Sequence, residues 1–382
     1  MSNKHYKIVY CTPSLYMPGG VERVLTLKAN YFAEVYGYDI TIILTDGNGK
    51  PNFFPLSEKV HVVNLNIGFE DLWHKSFVRK SFSYLFLQRK YKAALTKELF
   101  RIKPDITVSL LRREINFITS INDGSKKIGE IHINRAHYRN FMPNRTNFLK
   151  ELFSKFWMSG LLGKVQLLDR FVVLTDYDRQ AWPEVSKVEV IPNPLPFFPP
   201  TISSLQYKRV IAVGRYFDEK GYDMLLRAWS VVEKKISGWS LDIYGDGSKL
   251  QYVNLAEKLG LDANRYRLND SIVDVQKEYL SSSFFVCSSR YEGFGMGIAE
   301  AMACGLPVVA FDCPWGPRSI ITDGEDGILV EAGNIHKLAE AMLSLMTHPE
   351  HLSQMAQHAR RNIQRFNIDD VAEKWKHLFE QL

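Results

Sequence analysis

Two carboxylates, Glu292 and Glu300, stand with seven residues between them in the run Tyr291-Glu292-Gly293-Phe294-Gly295-Met296-Gly297-Ile298-Ala299-Glu300. A carboxylate is an acceptor suited to paired sugar or ribose hydroxyls, and a glycine loop at a helix start leaves backbone N–H groups for phosphate oxygens. Phe284-Phe285-Val286-Cys287 reads as a buried strand, the glycines as an irregular loop, Ile298 to Ala303 as a short helix and Pro307 to Phe311 as the next strand. Glu292 therefore falls in a loop and Glu300 in a helix, and the two can serve one ligand. A second charged group, Arg215 and Lys220, follows the apolar strand Arg209–Val213 at Gly214. An arginine matches a planar fork of oxygens and a lysine acts as a point charge, so both can reach one diphosphate.

These residues need a frame, and the apolar pattern supplies one. Lys7-Ile8-Val9-Tyr10 is an apolar strand, and after Gly19 and Gly20 the residues Val21, Val24, Leu25, Ala29 and Phe32 recur at helical spacing. A phosphate can approach the backbone at those glycines, at the positive end of the helix dipole. Further strands are expected at 39–44, 60–65, 106–110, 127–131 and 171–174, and again at 209–213, 240–244, 265–268, 284–287, 307–311 and 327–330, with helices between. Such alternation implies parallel sheets covered on both faces, hence an α/β chain of two Rossmann-like domains facing a cleft. The proline-rich run Pro192-Asn193-Pro194-Leu195-Pro196-Phe197-Phe198-Pro199-Pro200 suits neither a helix nor a central strand and reads as the join. His132 and Glu130 lie at the end of one first-half strand.

Taken together, four motifs resemble the retaining glycosyltransferases of the GT-B fold, family 4. These are the Gly19-Gly20 loop, the Pro192-Asn193 segment, Gly214-Arg215 with Lys220-Gly221, and the acid pair Glu292 and Glu300. The resemblance implies an acceptor-binding domain over 1–192, a linker over 193–206, a nucleotide-sugar domain over 207–364 and a last helix, 365–382, crossing back to the first domain. It implies catalytic roles for Glu292, Arg215, Lys220 and His132. Donor contacts would come from Gly19, Gly20, Arg215, Lys220, Gly295, Met296, Gly297 and Glu300. Arg215 and Lys220 would neutralise the departing diphosphate, Glu300 would accept from ribose and Glu292 from the donor sugar. His132 would lie beside that sugar, donating to a hydroxyl or orienting the acceptor, with Glu130 as an acceptor-side base. Gly297, where the family often has bulkier residues, would widen the sugar pocket. Neither cofactor nor metal is implied, only a nucleotide-sugar donor, UDP before GDP, and a lipid-linked or surface glycan acceptor. The rival readings are a catalytically silent nucleotide-sugar-binding scaffold and a sugar-nucleotide epimerase on the same fold.

Composition bounds the rest. The 382 residues are 46% hydrophobic, enough for two packed cores. No run approaches eighteen apolar residues and the first residues lack the apolar core of a signal peptide, so the expectation is a cytoplasmic chain with reduced, buried cysteines. Residues 1–190 carry 28 Lys+Arg against 18 Asp+Glu, and residues 191–382 carry 20 against 24. Much of the excess lies in 73–103, where basic residues alternate with aromatics, and 148–158 repeats that composition. Both stretches suit either an anionic membrane surface, which would place the chain peripherally on the cytoplasmic membrane face, or an ordinary solvated helix face over core aromatics. Nucleic acid is not expected, since no module for it is present and the second half is acidic.

Overall fold

The computed structural model describes residues 4–72, 77–135, 138 and 160–382, without the side chains at 77, 78, 80 and 81. Segment 148–158 and residues 73–76 of the basic stretch therefore lie outside the described residues. The chain divides into two compact units, Met1–Pro194 with Val371–Leu382, and Leu195–Asp370.

The N-terminal unit holds seven strands, β1 (Lys7–Thr12), β2 (Asp39–Leu44), β3 (Val60–Asn64), β4 (Ile106–Ser109), β5 (Lys126–Glu130), β6 (Arg170–Val173) and β7 (Val188–Val190). All pairs are parallel, in the order β3-β2-β1-β4-β5-β6-β7. Because helices cover both faces, the strands read as continuous apolar runs; β4 is buried along its whole length. Helix α1 (Gly20–Glu34) turns Leu25, Ala29 and Phe32 to one side of the sheet. Helix α2 (Phe77–Ile102) turns Tyr91, Leu95 and Leu99 to the other.

The C-terminal unit repeats the plan with β8 (Arg209–Val213), β9 (Ser240–Gly245), β10 (Tyr266–Asp270), β11 (Phe284–Cys287), β12 (Val308–Asp312) and β13 (Gly327–Glu331). Its order, β10-β9-β8-β11-β12-β13, reverses direction between β8 and β11, and all pairs are parallel. In open parallel sheets a ligand binds beyond the carboxyl ends of the strands at such a reversal. Helices α3 (Tyr222–Lys235), α4 (Leu250–Leu259), α5 (Met296–Ala303), α6 (Ile335–Thr347) and α7 (Pro349–Asn362) cover this sheet. The proline-rich run is fastened to this unit: Leu195 N–H donates to the Phe366 carbonyl at 2.8 Å, and Ser203 Oγ donates to the Ser282 carbonyl.

Helix α8 (Ile368–Glu380) begins in the C-terminal unit and ends in the other. Val371, Ala372, Trp375, Leu378 and Phe379 form its apolar face and join Tyr6, Phe32 and Tyr38 in the N-terminal core. Burial of a side chain as large as Trp375 or Phe379 contributes about 1.5–3 kcal/mol, so this helix is integral to that core. All four cysteines are free and buried.

Candidate functional site

The reversal point of the second sheet carries two loops, 214–221 after β8 and 288–295 after β11, and these hold most of the expected site. Gly221 has φ 62°, a left-handed conformation that glycine adopts without strain, and a Cβ there would meet the Ser288 carbonyl at 2.1 Å. The two loops are therefore in backbone contact. Ser288 Oγ donates to the Lys220 carbonyl at 2.8 Å, and Arg290 N–H donates to the Glu219 carbonyl at 2.8 Å. The Arg290 guanidinium grips the Asp223 carboxylate with two bonds of 2.9 Å, the planar fork geometry of a strong pair.

Inside this clasp Lys220 Nζ lies 2.6 Å from Glu292 Oε1, with the two side chains 22% and 13% exposed. Burial opposes the ammonium charge, but the neighbouring groups, Glu292 foremost and Glu219 with it, together hold Lys220 above the ordinary lysine range. Ser289 Oγ donates to the same Glu292 oxygen at 2.7 Å. The Glu292 backbone is pinned on both sides, its N–H to the Pro314 carbonyl at 3.0 Å and its carbonyl to the Trp315 N–H at 3.3 Å. A cavity of about 20 Å³, the size of one water, lies among Val213, Lys220, Ser289, Glu292, Gly295 and Gly297. Cation and carboxylate thus face each other directly. Arg215 is half exposed, paired with Glu219 Oε1 at 2.9 Å. Burial, with Glu292 beside it, pushes the Cys287 thiol to about 11, which leaves it protonated and a poor nucleophile.

Gly295, left-handed at φ 101°, caps α5, whose first-turn N–H groups at Met296 and Gly297 have no acceptor within the helix. Gly297 lines the cavity and also permits close packing. A Cβ there would meet Phe285 Cζ at 3.1 Å and the Val213 carbonyl at 3.4 Å, so the glycine lets α5 sit close against β8 and β11. Glu300 is buried, and Tyr279 Oη donates to its Oε2 at 3.2 Å.

Gly19, Gly20 and His132 belong to the N-terminal unit. Gly19 caps α1, and a side chain on it would meet Glu22 Oε2 at 2.0 Å. Glu22, in the first turn, thus places its own carboxylate at the helix start where a phosphate was expected. His132 follows β5 by two residues, and its Nε2 lies 3.1 Å from Glu130 Oε1. That oxygen also accepts from the buried Lys28 ammonium. Burial alone would raise the Glu130 carboxyl, but Lys28 and His132 bring it down to about 2. Glu130 is thus held ionised by its two neighbours.

Residues 198–362 match the family model of glycosyl transferases group 1. The chain is also 31% identical over 379 residues to an uncharacterized glycosyltransferase of Haemophilus influenzae, an alignment covering 97% of this chain and 99% of that protein. The chain belongs to the glycosyl transferases group 1 family. An amylovoran biosynthesis glycosyltransferase, AmsD of Erwinia amylovora, is 27% identical over 97% of this chain and 98% of its own length. A poly(ribitol-phosphate) alpha-N-acetylglucosaminyltransferase of Staphylococcus aureus is 29% identical over 67% of this chain, which spans about half of that protein, 51%. Among solved structures, S. aureus TarM in complex with fondaparinux, alpha-GlcNAc-glycerol and UDP superposes with a TM-score of 0.79 at 18% identity, over 98% of this chain and 99% of that one. Sucrose-phosphate synthase of Thermosynechococcus elongatus gives 0.81 at 16% identity, over 99% of both. The fold is GT-B.

Several residues that shape the glycosyltransferase's site carried no signal of their own in the sequence. Ser289 and the Arg290–Asp223 pair were hidden because a serine or a charge beside a loop is ordinary. The Pro314-Trp315-Gly316 loop was hidden because it comes from the next strand. A Cβ on Gly316 would meet the Phe294 carbonyl at 2.4 Å, so its Pro-Trp-Gly composition was the available clue to a close approach.

Proposed function

We propose that this glycosyltransferase takes a hexose or N-acetylhexosamine from a UDP-linked donor and passes it, with retained configuration, to a hydroxyl of a lipid-linked or cell-surface glycan. The observation that carries the reading is the Lys220–Glu292 pair at 2.6 Å at the reversal point of the second sheet. A cation for the diphosphate and a carboxylate for the sugar hydroxyls sit side by side there. Support for the donor comes from relatives of the same fold solved with UDP, TarM and Anabaena HepE. Support for the acceptor comes from relatives named for amylovoran and poly(ribitol-phosphate) glycosylation.

In this reading Arg215, Lys220 and the first-turn N–H groups of α5 stabilise charge as the diphosphate leaves, without a divalent ion. Glu300 accepts from the ribose, Glu292 from the donor sugar, and His132 contacts that sugar. The acceptor oxygen attacks on the face the diphosphate leaves, and its proton passes to a diphosphate oxygen. The protein's own part is positioning and electrostatics.

The same reading places the protein on an anionic bilayer. Phe82 and Phe86 on α2 are 73% and 67% exposed, Leu85 lies beside them, and Arg79, Arg89 and Lys90 flank the patch. Apolar rings to insert and cations for lipid phosphates fit such a surface. No described helix is long and apolar enough to cross a membrane.

The test is a calorimetric screen of UDP, GDP, ADP and their sugar conjugates, with magnesium and with chelator, followed by transfer assays using the sugar that binds. Selective, chelator-resistant binding of one UDP-sugar is expected. Binding only of a GDP-sugar, or only with magnesium, overturns the donor assignment. Vesicles of anionic lipid should pellet the protein and neutral ones should not, and serine at Phe82, Phe86, Arg79 and Arg89 should abolish pelleting.

A further inference from the structure

Lys28 is a cation in an apolar place. It sits on the face of α1 that also buries Leu25, Ala29 and Phe32, and its side chain is 2% exposed. Its ammonium donates to Glu130 Oε1, and lies 4.3 Å from the centre of the Trp375 ring and 5.7 Å from that of Tyr10. Glu130 is likewise 2% exposed, and its other oxygen, Oε2, has no hydrogen-bond partner among the described residues. A buried ion pair of this kind gives no stability that apolar side chains of equal volume would not give as well. What the pair does provide is an ionised carboxylate held at one defined point, and His132 Nε2 lies 3.1 Å from it. Lys28 and His132 meet on the single oxygen Oε1.

We propose that Glu130 and Lys28 are positioning residues for His132, fixing its ring with Nε2–H on Glu130 Oε1 and presenting Nδ1 as a hydrogen-bond acceptor to a ligand hydroxyl. This rests on the reading of His132 as a donor-sugar contact. An ionised carboxylate can only accept, so the nitrogen facing it, Nε2, carries a proton, and in the neutral tautomer this contact selects the lone pair lies on Nδ1. The ring therefore accepts from a sugar hydroxyl, where the sequence had left donation open. His132 lies just past the carboxyl end of β5, on the edge of the sheet from which such folds address ligands. Trp375, from α8, roofs the pair and shields it from water.

The test compares two double variants that both remove the buried charges. In Lys28→Met/Glu130→Gln the amide carbonyl can still accept from His132 Nε2–H, whereas in Lys28→Met/Glu130→Leu nothing can. The first should restore kcat to within about fivefold of wild type. The second should lower kcat by about 10- to 100-fold, the usual effect of losing an orienting partner, with UDP affinity unchanged within threefold. Adding His132→Ala should cost the leucine variant nothing further. In protein labelled with 15N-histidine, the protected His132 Nε2–H proton should persist in the glutamine variant and vanish in the leucine one.

Equal kcat in the two doubles overturns the proposal, as does an unchanged Nε2–H signal in the leucine variant. If His132→Ala leaves an active enzyme at full rate, the sugar-contact reading fails, and the Nε2–H comparison still decides whether Glu130 orients the ring. Should the leucine variant not fold, Lys28→Met/Glu130→Met replaces it. Failure of both to fold assigns the pair to folding and overturns the proposal.

Discussion

Lys220 and Glu292 are expected to behave oppositely toward nucleotide although they touch each other. Lys220 Nζ is 2.6 Å from Glu292 Oε1, and Ser289 Oγ donates to the same oxygen. A charge-assisted hydrogen bond contributes about 1.5–3 kcal/mol, so Lys220→Met should weaken UDP binding about 10- to 150-fold. Glu292→Gln removes the group that competes with the diphosphate for Lys220. UDP binding should then stay level or tighten by up to about tenfold, while turnover falls about a hundredfold for want of the sugar's acceptor. Calorimetric titration with UDP and steady-state transfer, run on both variants, separate the two effects. Thermal melting serves as the control, because the pair is largely buried and removing one member lowers stability by roughly 2–3 kcal/mol. If Glu292→Gln weakens UDP binding as much as Lys220→Met while both remain folded, the competition argument is wrong and the pair binds nucleotide as a unit.

Other expectations follow from single contacts. Gly221→Ala puts a Cβ at 2.1 Å from the Ser288 carbonyl at φ 62°, so it should destabilise the C-terminal unit by about 2 kcal/mol or more, read as a fall of several degrees in its melting temperature. Glu300→Ala should cut turnover at least about a hundredfold, measured at saturating donor, and an unchanged rate would remove Glu300 from the site. Asp178 is buried, accepts from Thr175 Oγ1 through Oδ2, and has no partner on Oδ1 among the described residues. Burial pushes its carboxyl from the ordinary 3.8 to about 7. A raised carboxyl keeps its proton in the folded state while the unfolded chain loses it, so stability declines as pH rises from 3.8 to about 7 and is level above. Asp178→Asn should therefore raise the urea midpoint at pH 8, by on the order of 2 kcal/mol, and leave it unchanged at pH 4.

Both sheets were largely legible in the sequence, because strands buried on two faces are uninterrupted apolar blocks. Lys7-Ile8-Val9-Tyr10 and Phe284-Phe285-Val286-Cys287 lie within β1 and β11. The short edge strand β7, Val188–Val190, was not, since its residues are only half buried and its run is too brief to stand out. In the candidate site, the charges and glycines after β8 and β11 were legible from type and spacing. What could not be read was which charge each would meet. Lys28 looked like one more polar residue between the apolar positions of α1, and only the fold reveals that Trp375, far along the chain, closes over it. Glu22 likewise gave no sign that it would take the helix start at Gly19.

The return of α8 sets an order of events during synthesis. Val371–Leu382 follows the entire C-terminal unit in the chain, yet it supplies Trp375, Leu378 and Phe379 to the N-terminal core. At a ribosomal pace of about 5–20 residues per second, the intervening segment takes roughly ten to thirty-five seconds to emerge. Throughout that interval the face of α1 bearing Phe32 and the Lys28 ammonium lacks its cover. A nascent chain halted before residue 371 would hold a finished C-terminal unit and an unfinished N-terminal one, with apolar surface open to chaperones and proteases. The N-terminal core is thus completed only after the whole of the C-terminal unit has been synthesised.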